Sequence, residues 1–295
     1  MTITLRPHQQ TAVDAMLKHD KGQVIIPTGG GKTICMIEDA KKQFDQIGST
    51  TIVVVAPRIL LAEQLCSEFL EVIDNAAVYH VHSGETEHFS STKPALIHNW
   101  HRQAYRNQMI FTTYHSLEKI VQSGISIDTI YFDEAHNSVQ RNFFVPTEFY
   151  SRHARRCYFF TATPKHSVTP RKPGMNDSRV YGQVICNVPA PKLVEEGYIL
   201  PPVVRLTQLP QGDFKQSDSQ NLLDTIDDND AEKILIAARS TKQIVRLVSQ
   251  SDFTFQLERR GYNWMYITSK TGAIINGQKV TREQFFNTLN AWGRD

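Results

Sequence analysis

The stretch that decides the fold is residues 23–40, QVIIPTGGGKTICMIEDA. It opens with a short apolar run, residues 24–26, that predicts a buried strand ending at Pro27. Apolar residues then recur at helical spacing, which predicts a helix over about residues 34–44. The glycines between these elements let the backbone curl so that several N–H groups point inward, and the helix N-terminus adds partial positive charge. The stretch therefore predicts a phosphate-binding loop.

Each residue type in this loop has a chemical role. Lys32 would reach the β- and γ-phosphates of a nucleotide as a point charge, and the Thr33 hydroxyl would bind Mg²⁺. The strict pattern G-x-x-x-x-G-K-[ST] fails at Ile26, where its first glycine would fall. The alternative is a glycine-rich turn that precedes a lysine by chance, and the strand and helix on either side disfavour it. The candidate nucleotide-binding residues here are Thr28, Gly29, Gly30, Gly31, Lys32 and Thr33.

A second polar cluster follows another apolar strand, residues 129–132 (TIYF), which leads directly into the sequence DEAH. Asp133 is a candidate ligand of Mg²⁺ through its water shell, and Glu134 is a candidate base for an attacking water. His136 lies too far along the chain for the same metal, so we assign it to coupling with the next strand. Adjacent acidic residues are usually a solvated surface, but their position at the end of a buried strand reverses that expectation. The candidate catalytic residues are Lys32, Asp133, Glu134 and His136.

Strands and helices alternate along the first 190 residues. The β-branched run TIVVVA, residues 51–56, is typical of a strand that is buried on both faces of a parallel sheet. Further strands are predicted at 77–81, 109–113, 156–160 and 180–188, with helices between most of them. This alternation predicts an α/β fold with a doubly wound, largely parallel sheet.

The bulk composition is that of an ordinary globular protein. The 295 residues carry a net charge of +2, with 40% hydrophobic and 21% charged residues. No apolar run approaches the ~20 residues of a membrane span, and residues 1–6 lack the basic-then-apolar order of a signal peptide. We therefore expect no membrane partner and a cytoplasmic location, or the host cytoplasm if a phage encodes the protein.

The four cysteines show no C-x-x-C spacing. We therefore expect small buried side chains in a reducing compartment, with neither a zinc site nor a disulfide framework. The residues concerned are Cys35, Cys66, Cys157 and Cys186.

Basic residues are concentrated in two tracts that contain no acidic residue. Residues 151–176 hold six arginines and lysines, and residues 88–117 hold three. Such tracts suit contact with a polyanion, although a solvated surface is the commoner explanation of one tract taken alone. Arg58 follows a predicted strand and would lie on the rim where ligands bind in open α/β sheets. Thr112 and Thr113 end another strand, where hydroxyls can hydrogen-bond phosphate oxygens.

The order of these motifs resembles the motor core of superfamily 2 helicases. Each motif is modest evidence, but six in order at workable spacings are highly specific. The resemblance is to the branch that includes type III restriction subunits and phage or viral DNA helicases, and it is strong over residues 1–190. The motifs are LRPHQ (5–9, Q motif), TGGGKT (28–33, motif I), APR (56–58, motif Ia, with Leu61 and Gln64), TTY (112–114, motif Ib, with Ser116 and Leu117), DEAH (133–136, motif II) and TAT (161–163, motif III).

The resemblance implies a P-loop NTPase of the RecA-like type that uses ATP and Mg²⁺ to move along or unwind nucleic acid, DNA rather than RNA. It implies that Gln9 reads the edge of adenine, and that Thr161 and Thr163 couple the nucleotide to the nucleic acid. The implied contacts with the nucleic-acid backbone are sequence-tolerant and salt-sensitive. They come from Arg58, Gln64, Thr112, Thr113 and Tyr114.

The resemblance also sets the expected domains. Residues 1–190 form the ATP-binding RecA-like domain, residues 191–230 a connector with a polar segment, and residues 231–295 a partial second RecA-like domain with a buried strand at 233–238. The pattern Q-x-x-G-R-x-x-R, whose arginine neutralises transition-state charge in this family, does not occur in the chain. We therefore expect a partner chain or a missing C-terminal segment to complete the second lobe, and slow ATP turnover by this chain alone.

Three functions remain open at this point. The first is an ATP-dependent helicase or translocase. The second is a nucleotide-gated nucleic-acid-binding module with little turnover, which the missing arginine motif favours. The third is the motor subunit of a restriction or remodelling complex, which requires a nuclease or partner domain that has no signature in this chain.

Overall fold

The structure is a computed structural model that describes residues 4–46, 48–104, 106–169, 171–206, 208, 217–229, 232–268 and 271–294. The chain divides into two compact units, Met1–Pro202 and Val203–Asp295.

The first unit is built on a seven-stranded sheet in which every strand pair is parallel. Its strand order is β3-β4-β2-β5-β6-β1-β7. Because the strands run in one direction, their carboxyl ends lie along one edge, where ligands bind in open α/β sheets. The strands are β1 (Lys21–Ile25), β2 (Thr51–Ala56), β3 (Ala76–Val81), β4 (Asn107–Thr113), β5 (Thr129–Phe132), β6 (Arg156–Thr161) and β7 (Gln183–Asn187).

Helices cover both faces of this sheet, as the predicted doubly wound α/β fold requires. Alternate residues of β2 enter different cores: Ile52 and Val54 pack with one set of helices, and Val53 and Val55 pack with the other. The first set is α1 (Pro7–Lys18), α2 (Lys32–Gln46), α3 (Ile59–Leu70) and α8 (Ala190–Glu195). The second set is α4 (Pro94–Gln103), α5 (Leu117–Ser123), α6 (Arg141–His153) and α7 (Ser178–Tyr181).

One predicted strand of this unit begins too early. The run 180–188 starts in helix α7, where the side chain of Asp177 accepts a hydrogen bond from the Arg179 backbone N–H. Gly182 then takes a φ of 67°, which ends the helix, and strand β7 starts at the next residue. The helical cap of Asp177 therefore decides this segment, which the apolar pattern alone assigned to a strand.

The second unit has a different architecture from the first. Its described strands are β8 (Met265–Thr268), β9 (Gly272–Ile275) and β10 (Gln278–Val280), which form an antiparallel sheet. A small core of Leu223, Ile226, Phe253 and Leu257 joins two of its helices, 218–229 and 253–259, and Leu247 of a third packs against it. The helices are α9 (Asp218–Asn229), α10 (Thr241–Ser249), α11 (Phe253–Arg259) and α12 (Arg282–Arg294).

The expected buried strand at 233–238 is wrong. Residues 234–238 have no regular secondary structure, and the side chain of Leu235 is 97% exposed. An apolar run forms a buried strand only where neighbouring strands pair with it, and the described strands of this unit pair only among themselves. The described part of the second unit therefore lacks the parallel strands that a RecA-like lobe requires.

The unit boundary also lies later than the sequence predicted, after residue 202 rather than residue 190. Leu193 is fully buried in the core of the first unit, and Tyr198 and Ile199 pack against the same core. The beginning of the expected connector is therefore part of the first unit.

All four cysteines are buried and free, as predicted for their side chains. Burial raises the pKa of Cys35 to about 12, so this thiol is neutral at physiological pH. No helix among the described residues combines the length and the apolar character needed to cross a membrane.

Candidate active site

The predicted phosphate loop connects β1 to α2 at the carboxyl edge of the sheet. Gly29 and Gly31 have φ angles of 79° and 84°, a region that L side chains rarely adopt. A Cβ atom on Gly31 would also press on the amide of Gln9 and displace it, so the positive φ and the position of Gln9 both favour glycine there. Thr28 and Gly29 are exposed, whereas Lys32 and Thr33 are half-buried in the first turn of α2.

Helix α1 holds this loop through one carbonyl group. Nε2 of His8 lies 2.8 Å from the carbonyl oxygen of Gly30, and Nε2 of Gln9 donates to the same oxygen over 3.2 Å. Oε1 of Gln9 accepts from the backbone N–H of Arg6 at 2.9 Å. The structure thus places Gln9 against the loop, where its amide positions Gly30, and its contact with adenine stays a prediction. Sequence reasoning missed His8, although it adjoins Gln9 in the same motif.

Lys32 and Glu134 meet across the sheet edge, although a hundred residues separate them in the chain. Nζ of Lys32 lies 3.7 Å from Oε1 of Glu134. Strand β6 lies between the strands that precede these residues, so the two side chains reach over its carboxyl end. The predicted phosphate loop and the predicted acidic cluster therefore form one site.

Asp133 and Glu134 are both half-buried, and hydrogen bonds of its own backbone fix Asp133. Its backbone N–H donates to the carbonyl of Val55 at 2.9 Å, and its carbonyl accepts from the Tyr114 hydroxyl at 2.8 Å. Burial, and then the Glu134 carboxylate, raise the pKa of Asp133 to about 6 against the opposing charge of Lys32. A half-buried carboxylate with this cost of ionisation is suited to a cation that neutralises it. The Asp133 carboxylate and the Thr33 hydroxyl are each hard oxygen donors of the kind that Mg²⁺ prefers.

Glu134 has an unusual backbone conformation, with φ 45° and ψ 52°. This left-handed region is uncommon for a residue other than glycine, and such strain is often stored at functional sites. Asn137 stabilises it, because both its backbone N–H and its side-chain amide donate to the Glu134 carbonyl at 2.9 Å. Asn137 is a second residue that the motif search missed.

His136 connects the acidic cluster to strand β6. Its Nδ1 lies 3.0 Å from Oγ1 of Thr161 and 3.4 Å from Oε2 of Glu134. Oγ1 of Thr161 also accepts from the backbone N–H of Thr163 at 3.1 Å. The side chain of Thr161 is fully buried and Thr163 is exposed, so this chain of contacts runs from Glu134 to the surface. The arrangement matches the coupling path that the sequence proposed, and its function stays a prediction.

Helix α2 is anchored by a buried ion pair that the sequence analysis did not find. The guanidinium of Arg156 donates to both carboxylate oxygens of Asp39, at 2.8 and 3.2 Å. The Tyr131 hydroxyl donates to the same carboxylate at 2.6 Å, and Gln43 donates to it at 2.8 Å. Arg156 also donates to the carbonyl of Met16 at the end of α1. This network fixes the helix that carries Lys32.

The predicted nucleic-acid contacts separate into two groups. Arg58 and Gln64 are exposed at and near the start of α3. Thr112, Thr113 and Tyr114 are buried, and the Thr112 hydroxyl donates to the carbonyl of Val81 at 2.8 Å. The fold encloses these three side chains, so the prediction that they contact a phosphate backbone directly is wrong. The Tyr114 hydroxyl instead donates to the backbone carbonyl of Asp133.

The basic tract at 151–176 also divides. Arg156 is not available to a polyanion, because it is buried in the ion pair with Asp39. Arg155 precedes β6 at the amino edge of the sheet. Lys165, Arg171 and Lys172 lie in the segment that follows β6, and all three are exposed. Of the basic tract, this group comes after the strand end that carries Thr161.

Comparison with known protein families supplies the assignment. Residues 2–166, which include the phosphate loop, the acidic cluster and Thr161, match the family described as Type III restriction enzyme, res subunit. The chain belongs to this family. The first unit of this res-subunit protein is thus a superfamily 2 helicase-like lobe, and the RecA-like fold that the sequence predicted for it is confirmed.

Solved structures agree on the fold. The Type ISP restriction-modification enzyme LlaGI, as a nuclease-deletion mutant in complex with a DNA substrate mimic, matches with a TM-score of 0.57 and 21% identity, over 78% of this chain and 23% of that one. The ATP-dependent Type ISP enzyme LlaBIII, bound to DNA, matches with a TM-score of 0.55 and 21% identity, over 66% of this chain and 16% of that one. The res-subunit protein thus spans less than a quarter of the length of either enzyme. A comparison with curated proteins gives no match.

Proposed function

We propose that this res-subunit protein is the ATP-hydrolysing motor unit of a nucleic-acid translocase or helicase. The observation that carries the proposal is the contact between Lys32 and Glu134, at 3.7 Å, beside a glycine loop and a half-buried carboxylate. This arrangement supplies a cation for phosphates, a base for water and a metal-binding acid within one site.

The residues would divide the work of ATP hydrolysis between them. Inward-facing N–H groups of the loop and the start of α2 would hold the phosphates, and Lys32 would leave Glu134 to pair with the terminal phosphate. Glu134, once released, would accept a proton from the attacking water. Asp133 and Thr33 would hold Mg²⁺, which neutralises charge on the phosphate oxygens when bound.

Nucleic acid is the partner that the exposed basic residues favour, and we propose DNA rather than RNA. Arg58 is exposed between β2 and α3, and Lys165, Arg171 and Lys172 are exposed in the segment after β6. Exposed cations bind phosphates without reading base sequence, which suits a protein that moves along a strand. LlaGI and LlaBIII, which share the fold, are described in complex with a DNA substrate mimic and bound to DNA.

Slow turnover is part of the proposal. The chain contains no Q-x-x-G-R-x-x-R pattern, so its own residues do not supply the arginine that neutralises the transition state in the family. A second candidate, a nucleotide-gated nucleic-acid-binding module, is favoured by this observation. Strong stimulation of hydrolysis by DNA supports the motor, whereas ATP-dependent DNA binding without hydrolysis supports the module.

The test compares Lys32→Ala with Lys42→Ala, which lies on the same helix and pairs with Glu38. Steady-state ATPase activity is measured with and without single- and double-stranded DNA. We expect Lys32→Ala to lower kcat/KM for ATP by at least about 100-fold, because it removes a charge that faces the phosphates. Lys42→Ala should stay within about twofold of the unmodified protein, since a surface charge far from the chemistry contributes little. Normal hydrolysis by Lys32→Ala would refute the site.

A further inference from the structure

A cluster of one cysteine and two histidines lies away from the nucleotide site. Sγ of Cys66 and one ring nitrogen each of His80 and His88 lie within 4.8 Å of one another. Cys66 is on α3, His80 is on the edge strand β3, and His88 is on the segment that follows that strand. We propose that these three side chains bind a zinc ion, which joins α3 to β3.

An unpartnered buried nitrogen supports this proposal. His80 is fully buried, and its Nε2 has no hydrogen-bond partner among the described residues. A buried polar atom without a partner is rare, because it loses its bond to water and gains nothing in return. His80 belongs to a group of donors that includes a buried thiol, so a metal ion bound through Nε2 would satisfy this atom.

The backbone brings the third ligand into place. The segment after β3 folds back along it: the His80 backbone N–H donates to the carbonyl of Phe89, and the Ser91 N–H donates to the carbonyl of His80. As a result the rings of His88 and His80 are stacked, with centroids 5.6 Å apart and an angle of 3° between their planes. The parallel rings place a second imidazole beside the unpartnered one.

The donor set fits zinc better than magnesium or calcium. One thiolate and two imidazoles are the borderline-soft ligands of Zn²⁺, whereas Mg²⁺ and Ca²⁺ prefer oxygen. Tetrahedral Zn²⁺ holds its donors about 3.5 Å apart, which follows from bond lengths of ~2.0–2.3 Å. Since the three donors lie within 4.8 Å of one another, they would have to approach one another by at most about 1 Å. Three protein ligands leave a fourth position for water.

Metal binding has a definite proton balance. The Cys66 thiol loses its proton to solvent when the sulfur binds zinc. His80 would bind through Nε2, so its own proton lies on Nδ1 and is donated to Nε2 of His82, 2.9 Å away. The proton of His82 must then lie on its Nδ1, which at present accepts from the Gly84 backbone N–H at 3.2 Å. One proton leaves Nε2 of His80 for solvent and one from solvent reaches Nδ1 of His82, so the two imidazoles together release none. The Gly84 amide therefore loses this acceptor when zinc binds.

Cobalt(II) provides a direct test, because a cobalt–thiolate bond gives charge-transfer absorption in the near ultraviolet. The full chain is stripped with chelator and titrated with CoCl₂ or ZnCl₂. We expect about one zinc per chain by elemental analysis, a cobalt–thiolate band, and a shift of the Gly84 amide resonance with zinc. Cys66→Ser should abolish the band, and His80→Ala should weaken zinc binding at least about tenfold.

Cys186→Ser is the matched control, since it removes a buried thiol on β7, at the opposite end of the sheet from β3, and should leave the band unchanged. A wild-type titration without a thiolate band would overturn the proposal, as would a band that survives in Cys66→Ser. The wild-type spectrum and the Gly84 resonance decide the matter even if a substitution prevents folding. An unmoved Gly84 amide beside a normal band would refute ligation through Nε2 of His80.

Discussion

Helix α2 carries two charged pairs seven residues apart, and they are built in opposite ways. Lys32 and Glu134 approach to 3.7 Å, with side chains that are 10% and 30% exposed. Asp39 and Arg156 approach to 2.8 Å, with side chains that are 0% and 9% exposed. The second pair also has hydrogen bonds from two further side chains, so its charges are fully satisfied. The first pair is loose and reached by water, which allows a ligand to displace it.

The contrast distinguishes a charged pair that stabilises the fold from a charged pair that belongs to the candidate active site. A buried pair held by several further hydrogen bonds cannot exchange partners without losing much of its stabilisation. A partly exposed pair with a longer contact contributes less to stability and can be separated at smaller cost. The predictions below test whether stability and activity divide between the two pairs in this way.

Arg156→Ala should have the largest effect on stability. The substitution leaves the fully buried Asp39 carboxylate without its cation, which typically costs about 3–5 kcal/mol. Urea unfolding of the chain, followed by circular dichroism, measures the loss. Arg155→Ala, the exposed neighbour, is the control and should change the unfolding free energy by less than about 0.5 kcal/mol. A loss below about 1 kcal/mol for Arg156→Ala would show that the pair does not anchor the helix.

Glu134→Gln should show the reverse pattern. The amide keeps the shape of the side chain but cannot accept a proton, so kcat for ATP should fall by about 10²–10⁴-fold. Unfolding free energy should change by less than about 1 kcal/mol, because the lost ion pair is partly exposed. ATP binding, measured with a fluorescent analogue, should be retained. Loss of binding together with activity would contradict the role of Glu134 as a base.

Asp133→Asn should stabilise the nucleotide-free protein, with a dependence on pH. The pKa of Asp133 rises in the fold from its ordinary 3.8 to about 6. Its ionisation therefore destabilises the fold progressively as the pH rises from 4 to above 6, by up to about 3 kcal/mol. The asparagine variant should unfold at higher urea than the unmodified protein at pH 8.

At pH 4 the two proteins should be close in stability, because the native carboxyl is then largely protonated. Magnesium-dependent nucleotide binding should be lost in the same Asp133→Asn variant, since the metal-binding oxygen is gone. A constant stability difference from pH 4 to pH 8 would rule out the carboxyl as its origin.

Arg58→Ala should give the smallest effect and should act on DNA binding alone. Removing one phosphate contact should weaken affinity several-fold on every sequence and lower the salt slope of log K by about one. Arg155→Ala is again the control, because that arginine lies at the opposite edge of the sheet. Fluorescence anisotropy with a labelled DNA strand at several salt concentrations measures both. Equal losses in the two variants would indicate non-specific attraction rather than a defined binding edge.

Much of the first unit could be predicted because its signals are local. Buried parallel strands have continuous apolar runs, and the phosphate loop and the DEAH sequence each lie at the end of such a run. The meeting of Lys32 and Glu134 then follows from parallel topology, which brings all carboxyl ends to one edge. The strand at 233–238 failed for the converse reason: an apolar run does not show whether neighbouring strands pair with it.

Three of the missed features depend on distance in space rather than in sequence. Arg156 looked like one more cation in a basic tract, because its partner Asp39 is far away in the chain. Thr112 and Thr113 follow the motif pattern, but a strand that is buried on both faces turns their hydroxyls inward. Cys66 is not part of a C-x-x-C sequence, and the two histidines near it come from β3 and the segment that follows it. The spacing of the cysteines therefore gives no sign of this cluster.

The hydrogen bonds to the Gly30 carbonyl preorganise the phosphate loop for nucleotide binding. This carbonyl already accepts from His8 and Gln9 of the preceding helix, so the glycine turn keeps one shape before any phosphate arrives. A nucleotide that binds therefore does not have to order the loop, and little conformational entropy is lost on binding. The same two bonds attach α1 to the turn, so a displacement of the turn would be transmitted directly to the N-terminal helix.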